Sequence, residues 1–199
     1  MKHSHDLTTG PLAVHYRKLA VPAAIGMVFN TLYNVVDVFF AGLIGTDAQA
    51  GLAISFQAFF IFVTVGFGLS AAMTALVGNA IGRKDDDEAS RIALQGVSFA
   101  GLSAIILLVA AFAFAPSLLT LISTDGAYRD AGLRYMMILI LSLPSFLIAY
   151  GLNGILQASG DTVSMQRALI GAFFVNLGLN PVLVFGIPPI FDGFGFNGI

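Results

Sequence analysis

An aspartate in the middle of a long apolar run is the residue whose chemistry has to be explained. Leu19 to Gly45 reads LAVPAAIGMVFNTLYNVVDVFFAGLIG, and Asp37 is its single charged side chain. Asn30, Asn34 and Asp37 follow one another at i, i+4 and i+7, so on a helix they form one narrow polar stripe. A carboxylate at membrane depth costs about 2.5 to 3.5 kcal/mol on an insertion scale, so the stripe should face other helices or a water-filled cavity. There a carboxyl group can take and release a proton, hold a cation or meet a substrate. The alternative is a structural aspartate hydrogen-bonded between helices. A second polar pair, Asn176 and Asn180 at i, i+4, lies in another apolar run and is followed at once by Pro181.

The elements that must position these residues are membrane helices. Of 199 residues, 57% are hydrophobic and 10% charged, against about 25% charged in soluble domains. The run from Leu19 exceeds the roughly 20 residues needed to cross a bilayer. The fold class expected is an all-α integral membrane bundle of about five transmembrane helices, near residues 19–44, 48–81, 92–122, 133–158 and 168–185. A polar tail, 1–18, precedes the bundle, and a loop, 186–199, follows it with four glycines and the pair Pro188 and Pro189. The first apolar segment is too long for a signal-peptide core, which predicts that it stays in the mature protein. Thr46 with Gln49 reads as a capping box for the second helix. Spacings such as Gly68/Ala72 and Thr74/Gly78 predict close helix packing. The acidic run Asp85 to Glu88 lacks the alternation of a calcium loop and reads as a solvated connection. Pro22, Pro116 and Pro144 are expected bends or ends.

An odd number of spans places the termini on opposite sides. With the N-terminus in the cytoplasm, Lys2, Arg17, Lys18, Arg83, Lys84, Arg91 and Arg167 lie inside and Arg129 and Arg134 outside, which satisfies the positive-inside rule. The first and last helices then run parallel, and Asp37, Asn176 and Asn180 share a depth, so one site could use all three. With no cysteine, and with His3, His5 and His15 outside the apolar segments, neither thiolate metal ligation nor haem ligation within the bundle is expected. The Lys and Arg residues form no basic stripe for nucleic acid.

Several stretches, in order, resemble the N-terminal half of a multidrug and toxic compound extrusion (MATE) transporter. They are Leu19 to Pro22 (LAVP), Val35 to Thr46 (VVDVFFAGLIGT), Asn153 to Thr162 (NGILQASGDT) and Asn176 to Gly186 (NLGLNPVLVFG), with Gly193 to Ile199 similar to the approach to the family's sixth helix. The resemblance implies most of the N-terminal six-helix lobe of a twelve-helix transporter, with a C-terminal lobe as its partner. It implies export of amphipathic, often cationic compounds across the cell's inner (plasma) membrane in exchange for sodium or protons, without a cofactor. The first-lobe cavity would be lined by Asn30, Tyr33, Asp37, Tyr135, Asn153, Asn176 and Asn180, and Asn34 extends the stripe. Cation coupling would fall to Asp37, Asn176 and Asn180, whose carboxylate and amide oxygens suit a sodium ion. In some members the second residue of the helix-five pair is an aspartate, where Asn180 stands here.

Two other readings compete with the antiporter. A lipid-linked oligosaccharide flippase would call for cationic side chains at depth to meet pyrophosphate, and the spans hold no Lys or Arg there. A non-transporting membrane module packing against a partner is favoured by the chain's length. An enzyme is not expected, because no histidine, cysteine or pair of carboxylates lies at membrane depth.

Overall fold

The computed structural model describes residues 11–187 and 192–199. The first ten residues of the expected tail, and Pro188 and Pro189, lie outside the described residues. The elements are α1 (Leu12–Ile44), α2 (Thr46–Gly82), α3 (Asp86–Ile122), α4 (Ala127–Leu141), α5 (Leu143–Ala158) and α6 (Val163–Phe185), followed by a 3-10 turn at Gly195–Gly198. Four helices are long and apolar enough to cross a membrane, and α4 with α5, bent by 50°, makes a fifth span. This is a multi-pass membrane protein. At ~1.5 Å per residue the 37-residue α2 and α3 each reach ~55 Å, well beyond the ~30 Å hydrocarbon layer.

The helices start earlier than their apolar runs. Helix α1 begins at Leu12 behind an extended Pro11, α3 at Asp86, α4 at Ala127 and α6 at Val163. Hydropathy marks where a helix enters hydrocarbon, whereas capping marks where it begins. Asp85 accepts the Glu88 N–H at 2.9 Å, so the acidic run is the cap and first turn of α3 as well as a solvated connection. Asp161 does the same for α6, taking the Val163 and Ser164 N–H groups at 3.1 and 2.9 Å. The Ser164 hydroxyl adds a third hydrogen bond and leads the influences holding the Asp161 carboxyl below its usual range. The capping box expected at Thr46 does not form. Gly45 precedes α2 without a side-chain cap, and Gln49 turns back to donate to the Val38 carbonyl at 3.5 Å.

Prolines Pro22, Pro116 and Pro181 sit inside continuous helices, so Pro116 does not end α3. The break near Pro144 falls at Ser142, with Pro144 in the first turn of α5, where its missing N–H costs no hydrogen bond. Gly195–Gly198 departs from the expected structureless loop. Its segment folds back on α6, and the Phe194 N–H donates to the Leu183 carbonyl at 2.7 Å.

Helix α2 is the hub, packing on α3, α4 and α5. Small residues make this possible. A Cβ on Gly51 would lie 2.9 Å from the Gly132 nitrogen, and one on Gly154 would lie 2.4 Å from the Ser70 carbonyl oxygen. The buried Ser55 hydroxyl sits 2.6 Å from the Gly51 carbonyl and 2.7 Å from that of Gly132. Thr74 similarly bridges Ser70 and Gly154. The Gly68/Ala72 face, expected to pack, instead points away from the bundle, and a Cβ on Gly68 would meet nothing within 4 Å. Helix α1 joins α6 along the other side of the molecule.

Candidate functional site

Helices α1 and α6 run side by side and present their polar residues to each other at one level. Two aromatic contacts, Phe29 against Phe173 at 5.4 Å and against Phe174 at 6.3 Å between ring centroids, set the spacing below that level. One turn inside Pro22, Gly26 leaves room for the Gln166 side chain. A Cβ there would fall 1.3 Å from Gln166 Oε1, a buried oxygen without a hydrogen-bond partner. Above the phenyl rings lies Asp37, 2% exposed. Its Oδ1 accepts two hydrogen bonds across the helix pair, from Asn176 Nδ2 at 2.9 Å and from Asn180 Nδ2 at 3.0 Å. The two amides also face each other, each nitrogen 3.4 Å from the other's oxygen.

The i, i+4 spacing of the asparagines lets both reach one carboxylate oxygen. Both amides present nitrogen, so they complement an ionised carboxylate, which accepts only. Their oxygens are turned to each other and away from Asp37. For the amides to join the carboxylate in holding a cation, they must rotate and offer oxygen. With that rotation the set supplies carboxylate and amide oxygens for a hard cation. No cluster of three or more His, Cys, Asp or Glu side chains occurs among the described residues.

Tyr33, half-buried one turn before Asp37, and Tyr135 of α4, 3% exposed, both lie within electrostatic reach of the carboxylate. Tyr135 packs with Ala41 and Leu52, and Ile199, just beyond the 3-10 turn, lies against the same cluster. That turn itself contacts α1, α4 and α6. The end of the site away from the phenyl rings is thus walled by a segment read from the sequence as a plain loop.

Of the candidate residues, Tyr33, Asp37, Tyr135, Asn176 and Asn180 are gathered together, and three are not. Asn30 and Asn34 are exposed, with Asn34 Nδ2 donating to the Asn30 carbonyl at 2.7 Å. The expected single stripe is split, because i, i+4 and i+7 positions still span an arc of about 60° and two neighbours divide it. Asp37 faces α6, while Asn34 faces a groove of about 570 Å³ between α1 and α2. Gln49, Phe56, Gln57 and Phe60 line that groove with it. Gln49 and Gln57 were legible as polar residues at i, i+8 in an apolar helix, yet Gln49 was read only as a capping residue and Gln57 was passed over. Asn153 is half-buried on α5, and no hydrogen bond joins it to the Asp37 cluster.

The MatE family model matches residues 22–182, which hold Asp37 and both asparagines. The chain belongs to the MatE family. Relatives include an FAD transporter of Shewanella oneidensis, 26% identical over 95% of this chain and 42% of the relative, and the probable multidrug resistance protein YoeA of Bacillus subtilis, 25% identical over 84% and 36%. Among solved structures, a MOP superfamily transporter from Pyrococcus furiosus superposes with a TM-score of 0.84 at 22% identity, covering 92% of this chain and 40% of that one. The chain thus spans about two fifths of the length of the relatives it matches. The fold is that of most of the N-terminal lobe of a twelve-helix MATE transporter.

Proposed function

We propose that this chain forms the first lobe of an antiporter that exports amphipathic, cationic compounds in exchange for protons or sodium. The observation that carries the reading is the buried Asp37 carboxylate bound by the amides of Asn176 and Asn180 across the α1–α6 interface. Family membership supports transport of drugs or toxic compounds. A second lobe completes the transport path.

A proton on Asp37 cancels its charge and adds an O–H donor at one oxygen, which weakens the hold on its two N–H partners. Sodium, as a hard cation, takes oxygen ligands, so its binding turns both amides over. Either event changes the charge facing the cavity and the grip between α1 and α6. Pro22 and Pro181, each inside one of these helices, are where the backbone gives. One elementary charge crossing 100 mV supplies about 2.3 kcal/mol for the cycle. Tyr33 and Tyr135 flank the carboxylate, and the amides and phenyl rings of the α1/α2 groove fit the flat uncharged part of an amphipathic substrate. The N-terminus lies in the cytoplasm and the 186–199 segment outside, in the inner (plasma) membrane.

The test is efflux of a fluorescent cationic dye from vesicles holding the transporter in which this chain is the first lobe. Asp37→Asn should abolish efflux together with its dependence on a proton or sodium gradient. Normal gradient-driven efflux by that variant would make Asp37 structural and end this reading.

A further inference from the structure

Away from the Asp37 site, α2 and α3 part to leave a groove of about 520 Å³ on the outside of the bundle. Val65, Gly68, Ala72 and Leu76 form its α2 wall, and Gln95 and Phe99 belong to its α3 wall. All six are exposed. From Val65 to Leu76 the groove runs ~16 Å at ~1.5 Å per residue, about half the ~30 Å hydrocarbon thickness. Its length thus matches one leaflet.

Its charged end has an order. On α3, Asp87, Arg91, Gln95 and Phe99 follow at four-residue intervals along one exposed face, so an acid, a base and an amide lead in turn into the apolar slot. Arg91 takes part in neither ion pair found among the described residues, which join Arg83 to Glu88 and Arg129 to Asp125. Asp85 is spent on the helix cap and Glu88 on Arg83, and Asp86 lies a residue off this face, so Asp87 is the carboxylate that heads the row. Around the turn, Arg83, Lys84 and Arg91 stand against Asp85, Asp86, Asp87 and Glu88, one more negative charge than positive. That balance disfavours a lipid with a net negative charge.

We infer that this groove seats a zwitterionic phospholipid carrying a primary ammonium, a phosphatidylethanolamine. Its ammonium pairs with Asp87, its phosphate with Arg91 about 6 Å deeper, and an acyl chain fills the slot between Gly68/Ala72 and Phe99. The order of groups from water to hydrocarbon in the lipid matches the order of side chains along α3. Gly68 and Ala72 keep the slot open, which explains why this small-residue face packs against no other helix of the bundle.

The experiment is native mass spectrometry of the purified 199-residue chain in detergent, titrated with phosphatidylethanolamine, phosphatidylcholine or phosphatidylglycerol. Phosphatidylethanolamine should be retained in preference to the other two. Arg91→Ala and Asp87→Asn should each weaken its retention about fivefold, the effect of one charged contact at a membrane surface. Gly68→Leu, whose side chain enters open space, should displace all three lipids while leaving helicity unchanged. The proposal is overturned if phosphatidylcholine binds as well as phosphatidylethanolamine, or if phosphatidylglycerol binds best and Asp87→Asn has no effect. It is also overturned if a second lobe releases the lipid, since the groove would then be a protein interface. Were Gly68→Leu to misfold, the two surface variants still decide the matter.

Discussion

At the scale of single residues, two buried polar groups of this lobe find partners across a helix boundary. Asp37 meets two amide nitrogens, and Ser55 lies between two backbone carbonyls at the Gly51–Gly132 crossing. A hydroxyl has one proton, so Ser55 donates to one carbonyl at a time, and it ties α2 to α4 when that carbonyl is the one of Gly132. Ser55→Ala removes this donor and leaves two buried carbonyls relying on their helical partners. We expect it to destabilise the folded chain by about 1 kcal/mol, within the range measured for interhelical hydrogen bonds in membranes. Reversible unfolding in mixed micelles measures it, and a loss indistinguishable from zero would show that the glycine contact alone sets the crossing. Asp37 was legible in the sequence because a charge in an apolar run has few acceptable surroundings. The split between Asp37 and Asn34 was not, since periodicity places residues on a face without saying where one neighbour ends and the next begins.

Helix ends carry the next level of information. Helices α2 and α5 finish in the same way, with paired reverse hydrogen bonds: Asp85 N–H to the Ala80 carbonyl and Lys84 N–H to that of Ile81, then Asp161 to Leu156 and Gly160 to Gln157. This motif puts one residue in the left-handed region. In α5 it is Gly160, at φ 79°, and in α2 it is Lys84, at φ 59°. A side chain there costs roughly 1–2 kcal/mol, so the two ends make opposite predictions. Lys84→Gly should raise the stability of the chain by about 1 kcal/mol and Gly160→Ala should lower it by a similar amount. Thermal unfolding in detergent reads both, and equal signs for the two substitutions would refute the argument. The Ser-Gly-Asp turn was legible as a helix end because glycine announces it. The early start of α3 was obscured because Asp85 to Glu88 looks like a water-loving linker, although acidic residues are also what a helix N-terminus attracts.

For the molecule as a whole, the contacts divide the lobe unevenly. Helices α2 to α5 share one continuous core from Phe59 and Phe62 through Ala111 and Leu119 to Met136 and Leu147. Helices α1 and α6 hold each other through the Phe29 cluster and the Asp37 cluster. When Asp37 changes its charge its hydrogen bonds rearrange while the phenyl contacts persist, so the two helices are expected to move as a pair. Spin labels on α1 and α6 should keep their separation as sodium or pH is varied, while the distance from α1 to α3 changes; a change confined to the α1–α6 distance would refute the paired motion. By itself the sequence determined that the chain crosses a membrane several times, that it resembles the first half of a MATE transporter, and that Asp37 needs company. These follow from the high cost of exposing charge and backbone to hydrocarbon, which leaves a strong signature in composition. Tertiary structure alone decided that Asn176 and Asn180 face Asp37 with nitrogen, that Asn30, Asn34 and Asn153 stand apart, and that Gly68 and Ala72 line an exposed groove between α2 and α3. The azimuth at which one helix meets another depends on side-chain packing along its whole length, and no local pattern of residues encodes it.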